Sequence, residues 1–260
     1  MQVAEAIAAY VDVVDATAPG LIEGLYIVGS YALDDWMPTR SDIDIVAVTA
    51  EPCTDEDFGA LRTVYALLAE RGVGRIDGPY VAWADLTIAP TTGLHRPWAL
   101  DGGAHHDGDC FEINPVTWYT LQRYGVTVRG ATPDQLGIWA DTDERIRFVV
   151  ANVRTYWADV ATDVARATAD VDRAFDSDSF EWCALGALRL HYTAFTGDVI
   201  SKSAAGKYGL DIAPARFHET LRLAMDLRAG RQSYASIAAA DMAVTADLIS
   251  WVVDEINEAG

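Results

Sequence analysis

The most constraining stretch of this chain is Gly29-Ser30, ten further residues, and then Ser41-Asp42-Ile43-Asp44. The apolar run LYIVG at 25–29 precedes the connection and IDIVAVT at 43–49 continues from it, and both read as strands. The link between them, LDDWMPTRSD, is rich in turn formers and delivers two acids to the start of the second strand. Residues two apart on a strand share a face, so Asp42 and Asp44 project together, about 7 Å apart along the backbone, while Ile43 points into the core. Two carboxylates so placed can grip one hard cation, and magnesium takes carboxylate oxygens together with substrate phosphates. Gly29 lets the backbone approach a phosphate, a helix starting just after it would aim free N–H groups at the anion, and Ser30 adds a hydroxyl donor. Taken alone, S-D-x-D is an acidic turn ahead of a strand. Glycine at one end of the connection and paired acids at the other favour a catalytic reading.

The rest of the first half supports a small sheet. Apolar residues at helical spacing, including Ile7, Tyr10 and Val14, predict a helix over 1–17 that Pro19-Gly20 stops. A second helix is expected over 54–71, with Thr54 and Asp57 as its cap and Gly72 at its end. A strand is expected next, at 76–83. Strand, helix and strand in that order imply a small mixed sheet with helices against it. Residues 89–110 show no period and are expected to be one long loop bordering the acceptor pocket. A short helix near 115–124 and the strand VTVRG come next, and TPDQL looks like the cap of another helix. From 133 onward the segments 133–139, 142–170, 179–196, 213–229 and 236–258 all read as helix. The fold expected is therefore α+β, with an N-terminal domain over 1–135 and an all-helical domain over 136–260.

A chain of 260 residues is long enough for two such units. Its formal net charge of −20 repels phosphate backbones, so nucleic acid is not the expected partner, and a cationic small molecule is. Acidity also serves plain solubility. Cys53, Cys110 and Cys183 are odd in number and scattered, which argues against a disulfide framework or a cysteine zinc site. No run approaches the roughly 18 to 20 apolar residues of a membrane helix, and the N-terminus carries acids where a signal peptide carries bases. A cytoplasmic monomer with no membrane partner is expected.

The segment VGSYALDDWMPTRSDIDIVAV resembles the signature of the polymerase-beta-type nucleotidyltransferase superfamily. Within it the chain is similar to the streptomycin/spectinomycin adenylyltransferases, a resemblance carried further by PVTWYTLQRYGVTVRGATPDQL at 115–136 and ALRLHYTAFTGDVISKSAAGKY at 187–208. The resemblance implies transfer of AMP from ATP to a hydroxyl of an aminoglycoside-like antibiotic, an antibiotic-resistance activity, with magnesium as cofactor and pyrophosphate as product. It implies that Asp42 and Asp44 hold magnesium and that Gly29, Ser30 and Ser41 position phosphates. It places Asp77 where the family carries a general base. That residue is usually Glu there, and Asp is one methylene shorter; Asp85 is a rival nearby. Arg189 and Lys202 match positions where the family sets cations on the nucleotide phosphates. Trp157, Asp178, Glu181 and Trp182 are the candidates for binding a cationic acceptor, although tryptophan on a helix is often core. His105, His106, Asp107 and Asp109 could in principle bind a transition metal, but a glycine-rich loop holds ligands poorly. Two other outcomes stay open: the same chemistry on a protein acceptor, and a non-catalytic homologue that binds nucleotide or aminoglycoside without turnover.

Overall fold

The computed structural model describes residues 2–38, 40–90, 94–234 and 236–259. Thr39 of the turn before Ser41, and Thr91, Thr92 and Gly93 of the 89–110 segment, lie outside the described residues. The chain forms two compact units, one ending at Asp141 and the other beginning at Thr142.

The first unit contains α1 (Val3–Thr17), β1 (Gly24–Ile27), α2 (Gly29–Ala32), β2 (Ile43–Thr49), α3 (Asp55–Glu70) and β3 (Ile76–Ala82). It continues with β4 (Trp98–Leu100), β5 (Gly103–His105), α4 (Pro115–Tyr124) and β6 (Val126–Arg129). Among the described residues these strands make one mixed sheet in the order β5-β4-β3-β2-β1-β6. β2 and β3 are parallel, joined by α3, and the other neighbours are antiparallel. α3 starts as the sequence requires. The Thr54 side chain accepts from Asp57 N at 3.2 Å, and the Asp57 carboxylate accepts from Thr54 N at 2.8 Å, a reciprocal cap on the first turn.

Alternation along β2 and β3 divides the sheet into two faces. Ile43, Ile45, Ile76 and Tyr80 pack with Tyr10 and Val14 of α1 and Leu61 and Val64 of α3. On the opposite face Val46, Val48 and Val81 pack with Ile113, Trp118 and Leu121 at and inside α4. The first face also buries three phenols. Tyr10 and Tyr80 share a hydrogen bond of 2.7 Å, the Tyr80 hydroxyl donates to Tyr65 at 3.0 Å, and Tyr65 donates to the Ile76 carbonyl, so none of these polar groups is left unpaired in the core.

The second unit is helical: α5 (Thr142–Asn152), a π-helical turn over Val153–Trp157, α6 (Ala158–Ala167), α7 (Ser177–Thr196), α8 (Lys202–Ile212), α9 (His218–Arg228) and α10 (Ala239–Ala259). A two-stranded pairing of β7 (Ala174–Phe175) with β8 (Ile237–Ala238) ties the start of α7 to the start of α10. Its core is built from residues such as Phe180, Leu185, Leu188, Leu221, Ile249 and Val252. No helix among the described residues is long and apolar enough to cross a membrane. All three cysteines are free thiols.

Four expectations need correction. The segment 89–110 is not one loop: Asp101 and Gly102, both at positive φ (51° and 78°), form a two-residue turn that closes the β4–β5 hairpin. Asp-Gly is the strongest short hairpin signal, and LDGG contains it. The expected helix at 133–139 is a single 3-10 turn, Pro133–Gln135, after which the backbone extends and Trp139 N donates to Leu86 O at 2.7 Å. The helix expected over 142–170 is interrupted by the π turn and ends at Ala167. Residues 202–212, where no helix is expected, form α8, capped by the Ser201 hydroxyl accepting from Ala204 N.

Candidate active site

Asp44 and Asp77 are register partners on parallel strands. Paired residues on neighbouring strands face the same way about 4.8 Å apart, so these two carboxylates stand side by side. They lie on the face whose further end α4 covers, and Asp42, two residues before Asp44, shares that face. Gly78 makes the close approach of β3 to β2 possible: its φ is +142°, and a Cβ there would run into the Ile45 carbonyl.

Gly29 has a structural job within the fold itself. Its φ is +59°, and a Cβ would collide with the Asp44 carboxylate. The glycine is needed because Asp44 itself occupies the space against the backbone. Ser30 N points at the same oxygen, 3.4 Å from Asp44 Oδ2. Ser41 Oγ accepts from Met37 N at 3.1 Å, which fixes the turn leading into β2. The Trp36 indole donates to the Asp42 carbonyl at 3.2 Å and steadies the same turn.

Asp77 is 2% exposed, and neither of its carboxylate oxygens has a hydrogen-bond partner among the described residues. Burial first, then the charges of Asp42, Asp44 and Asp101, push its pKa up to about 7 against the lowering pull of Arg75. Arg75, just ahead of β3, places Nη2 2.5 Å from Asp42 Oδ1 and Nη1 3.2 Å from Asp101 Oδ1. Glu112, in the turn before α4, has a buried Oε2 with no hydrogen-bond partner among the described residues. Burial, then Asp44, Asp77 and Asp42, push its pKa up to about 8. Sequence reasoning alone misses Arg75 and Glu112. The place of Arg75 two residues before Asp77 is a usable signal, whereas nothing local marks Glu112.

Asp85 is not a rival to Asp77. Its carboxylate caps the turn after β3 by accepting from Ala82 N at 2.8 Å, and Arg96 holds it from the side through two bonds of 2.7 and 2.8 Å. The histidine-rich loop is likewise occupied with packing: His105 stacks on Trp98, His106 on Phe58, and exposed Asp109 pairs with His95 at 3.1 Å.

In the second unit the expected residues fall into two groups. Glu181 and Arg228 form a buried pair of 2.9 Å, each 3% exposed, and Lys202 Nζ lies 3.7 Å from the same Glu181 oxygen. Arg189 Nε donates to the Ile200 carbonyl at 3.2 Å. Trp157 is buried, stacks on Trp182 with centroids 4.5 Å apart, and fills the space where Gly186 has no side chain. Trp182 is partly buried, with the exposed Tyr156 edge-on to it, and Asp178 is exposed in the first turn of α7.

Residues 12–72 match the family model for the nucleotidyltransferase domain. That stretch resembles a nucleotidyltransferase domain. That match takes in Asp42 and Asp44 and stops short of Asp77 and Glu112. A comparison with curated proteins finds no match. Among solved structures, the chain is similar to spectinomycin adenyltransferase AAD(9) from Enterococcus faecialis, solved with ATP and spectinomycin. The TM-score is 0.69 at 14% identity, over 97% of this chain and 100% of that one. At that identity the likeness establishes the fold alone: a mixed α/β unit followed by a helical one.

Magnesium is the ion such a domain implies. Among the described residues no three His, Cys, Asp or Glu side chains are grouped as a ready-made chelate. Magnesium does not need one, because it keeps water and takes one or two carboxylates together with substrate phosphates. The first unit offers donors of that kind, all carboxylate oxygens, and those of Asp77 are buried without hydrogen-bond partners among the described residues. The donor set fits the ion.

Proposed function

We propose that the protein transfers AMP from ATP to a hydroxyl of an aminoglycoside-like, cationic acceptor with release of pyrophosphate. The observation that carries this reading is the pairing of Asp44 with Asp77 across β2 and β3, with Gly29 shaped to the Asp44 carboxylate. Asp42 and Asp44 would hold magnesium, which when bound neutralises phosphate charge and polarises the phosphoryl centre. Asp77 would take the proton of the attacking hydroxyl. In the metal-free site burial, then the charges of Asp42 and Asp44, raise its pKa to about 7, so it holds a proton more readily than a free aspartate.

Gly29 and Ser30 would offer backbone N–H groups to phosphate, with Ser41 holding the turn in place. From the second unit the reading takes Arg189 and Lys202 as phosphate cations, and Asp178 and Trp182 as acceptor contacts with Glu181 and Trp157 buried behind them. These assignments rest on the family resemblance. Paired carboxylates and an aromatic surface suit an acceptor bearing ammonium groups.

The test is pyrophosphate release by the purified protein with ATP and magnesium against spectinomycin, streptomycin and other aminoglycosides. Release with one compound, lost in Asp44→Asn, supports the reading. ATP binding without release for any compound would favour a second reading, a binding homologue. The observation behind that alternative is the burial of Asp77, a side chain one methylene shorter than glutamate.

A further inference from the structure

We propose that Arg75 is a positioning residue of this site: its guanidinium holds Asp42 until a divalent ion arrives, and then passes to Asp101. This rests on the assignment of Asp42 and Asp44 to the ion, and it gives a role to a residue that assignment leaves unused. The register that sets Asp44 against Asp77 also sets Ile43 against Ile76, so one step back along both strands brings Arg75 alongside Asp42. The pairing reaches that far, because Ile43 N donates to the Arg75 carbonyl at 3.0 Å. Residues two apart on a strand share a face, so Arg75 points the same way as Asp77, and Asp42 the same way as Asp44. The guanidinium meets the carboxylate there, with Nη2 2.5 Å from Asp42 Oδ1.

That oxygen is buried. Magnesium sits about 2.0–2.1 Å from a carboxylate oxygen, and two cations crowded on one buried atom repel each other, so Arg75 must yield Asp42 when the ion binds. It has a second carboxylate at hand. Arg75 Nη1 already donates to Asp101 Oδ1 at 3.2 Å. Asp101 stands at φ 51° in the two-residue turn that closes the β4–β5 hairpin, and the hairpin pairing fixes its position. The side chains of Arg75 and Asp101 are 51% and 69% exposed, so the guanidinium can turn from one acid to the other without crossing the core. Giving up Asp42 leaves Arg75 paired rather than stranded. For the site, the result is weak binding of an ion alone and firm binding once nucleotide phosphates add to its ligands.

The probe is Mn2+ alone, counted by the electron paramagnetic resonance of the free ion, on the full-length protein. Arg75→Met is expected to tighten Mn2+ binding about twofold to fivefold, the weight of a half-exposed ion pair. Removing a residue that only braced the fold would not raise the affinity. Asp101→Asn, a side chain that tolerates positive φ, is expected to weaken binding about twofold, because Arg75 then stays with Asp42. In the Arg75→Met background, Asp101→Asn should change nothing. That silence separates a contact handed from one acid to the other from a plain charge effect, in which Asp101 acts with or without Arg75. Arg75→Met that binds Mn2+ no better than the wild type, or Asp101→Asn acting equally in both backgrounds, overturns the proposal. Asp44→Asn, titrated with Mn2+ and a non-hydrolysable ATP analogue, tests the wider reading separately. Loss of the ion there keeps that reading whatever Arg75 does, and an unaffected ion removes both.

Discussion

Side chains with neither space nor partner to spare make the sharpest predictions. Gly29 and Gly72 both sit at positive φ, +59° and +64°, but only at Gly29 would a methyl group strike a neighbour, the Asp44 carboxylate. Gly72→Ala should therefore cost about 1–2 kcal/mol of backbone strain and leave activity intact. Gly29→Ala should cost at least as much and also lower divalent-ion affinity, which titration of Mn2+ would report. Equal ion affinity in both variants would remove the shaping role of Gly29. For the base, Asp77→Asn is expected to lower kcat by about 10²-fold or more with little change in ATP affinity, the usual size of a lost general base. A kcat within twofold of wild type would take Asp77 out of the chemistry. The Glu181–Arg228 pair predicts a different kind of loss. Arg228→Met removes the 2.9 Å partner of the buried Glu181 carboxylate, and should cost about 3–5 kcal/mol in denaturant unfolding, much of it recovered by adding Glu181→Gln.

Between elements, the junction of the π turn and α7 is closely packed. Trp157 comes from the turn Val153–Trp157, and the extra residue of a π turn rotates the downstream side chains relative to a regular helix. Its ring lies where a Gly186 side chain would be and stacks on Trp182 from α7. Gly186→Ala is expected to destabilise by about 1–3 kcal/mol, the usual cost of overpacking, and to diminish the near-ultraviolet circular dichroism of the tryptophan pair. An unaltered tryptophan signal would show that the stack survives by sliding. The β4–β5 hairpin makes the converse point about reading elements. Its strands are three residues each, too short for any period to show, and the turn residues alone reveal it.

For the whole molecule, acid stability should depend on His191. Its Nδ1 is 2.9 Å from the Tyr208 hydroxyl, Nε2 is buried without a partner among the described residues, and the ring lies between Phe195 and Trp251, so burial lowers its pKa to about 4. An unfolded imidazole takes up its proton near about 6.5. Stability is therefore fully present above about pH 6.5 and falls as the pH drops from there toward about 4, by at most about 3 kcal/mol, because over that range the unfolded chain binds a proton that the fold refuses. His191→Gln should flatten the unfolding free energy across that window. An unchanged slope would assign the acid sensitivity to other groups.

What the sequence determined by itself was local. Residues 24–49 announce strand, turn and acid-bearing strand because alternation, turn chemistry and a glycine next to a serine are all short-range signals. The capping pair Thr54 and Asp57 is legible for the same reason, and so is the helical character of most of the second unit. Tertiary structure decided the rest. The neighbour of Asp44 is set by the parallel register of β2 with β3, which no window of sequence contains. Glu112 reaches the carboxylates through α4 packing on the sheet, some 70 residues along the chain from Asp42. Lys202 and Glu181 read as independent candidates, one for phosphate and one for acceptor, and the fold sets them 3.7 Å apart with Arg228 buried against them. A carboxylate's chemistry is set by which charges and donors surround it once water is gone, and that surrounding exists only after the chain has folded.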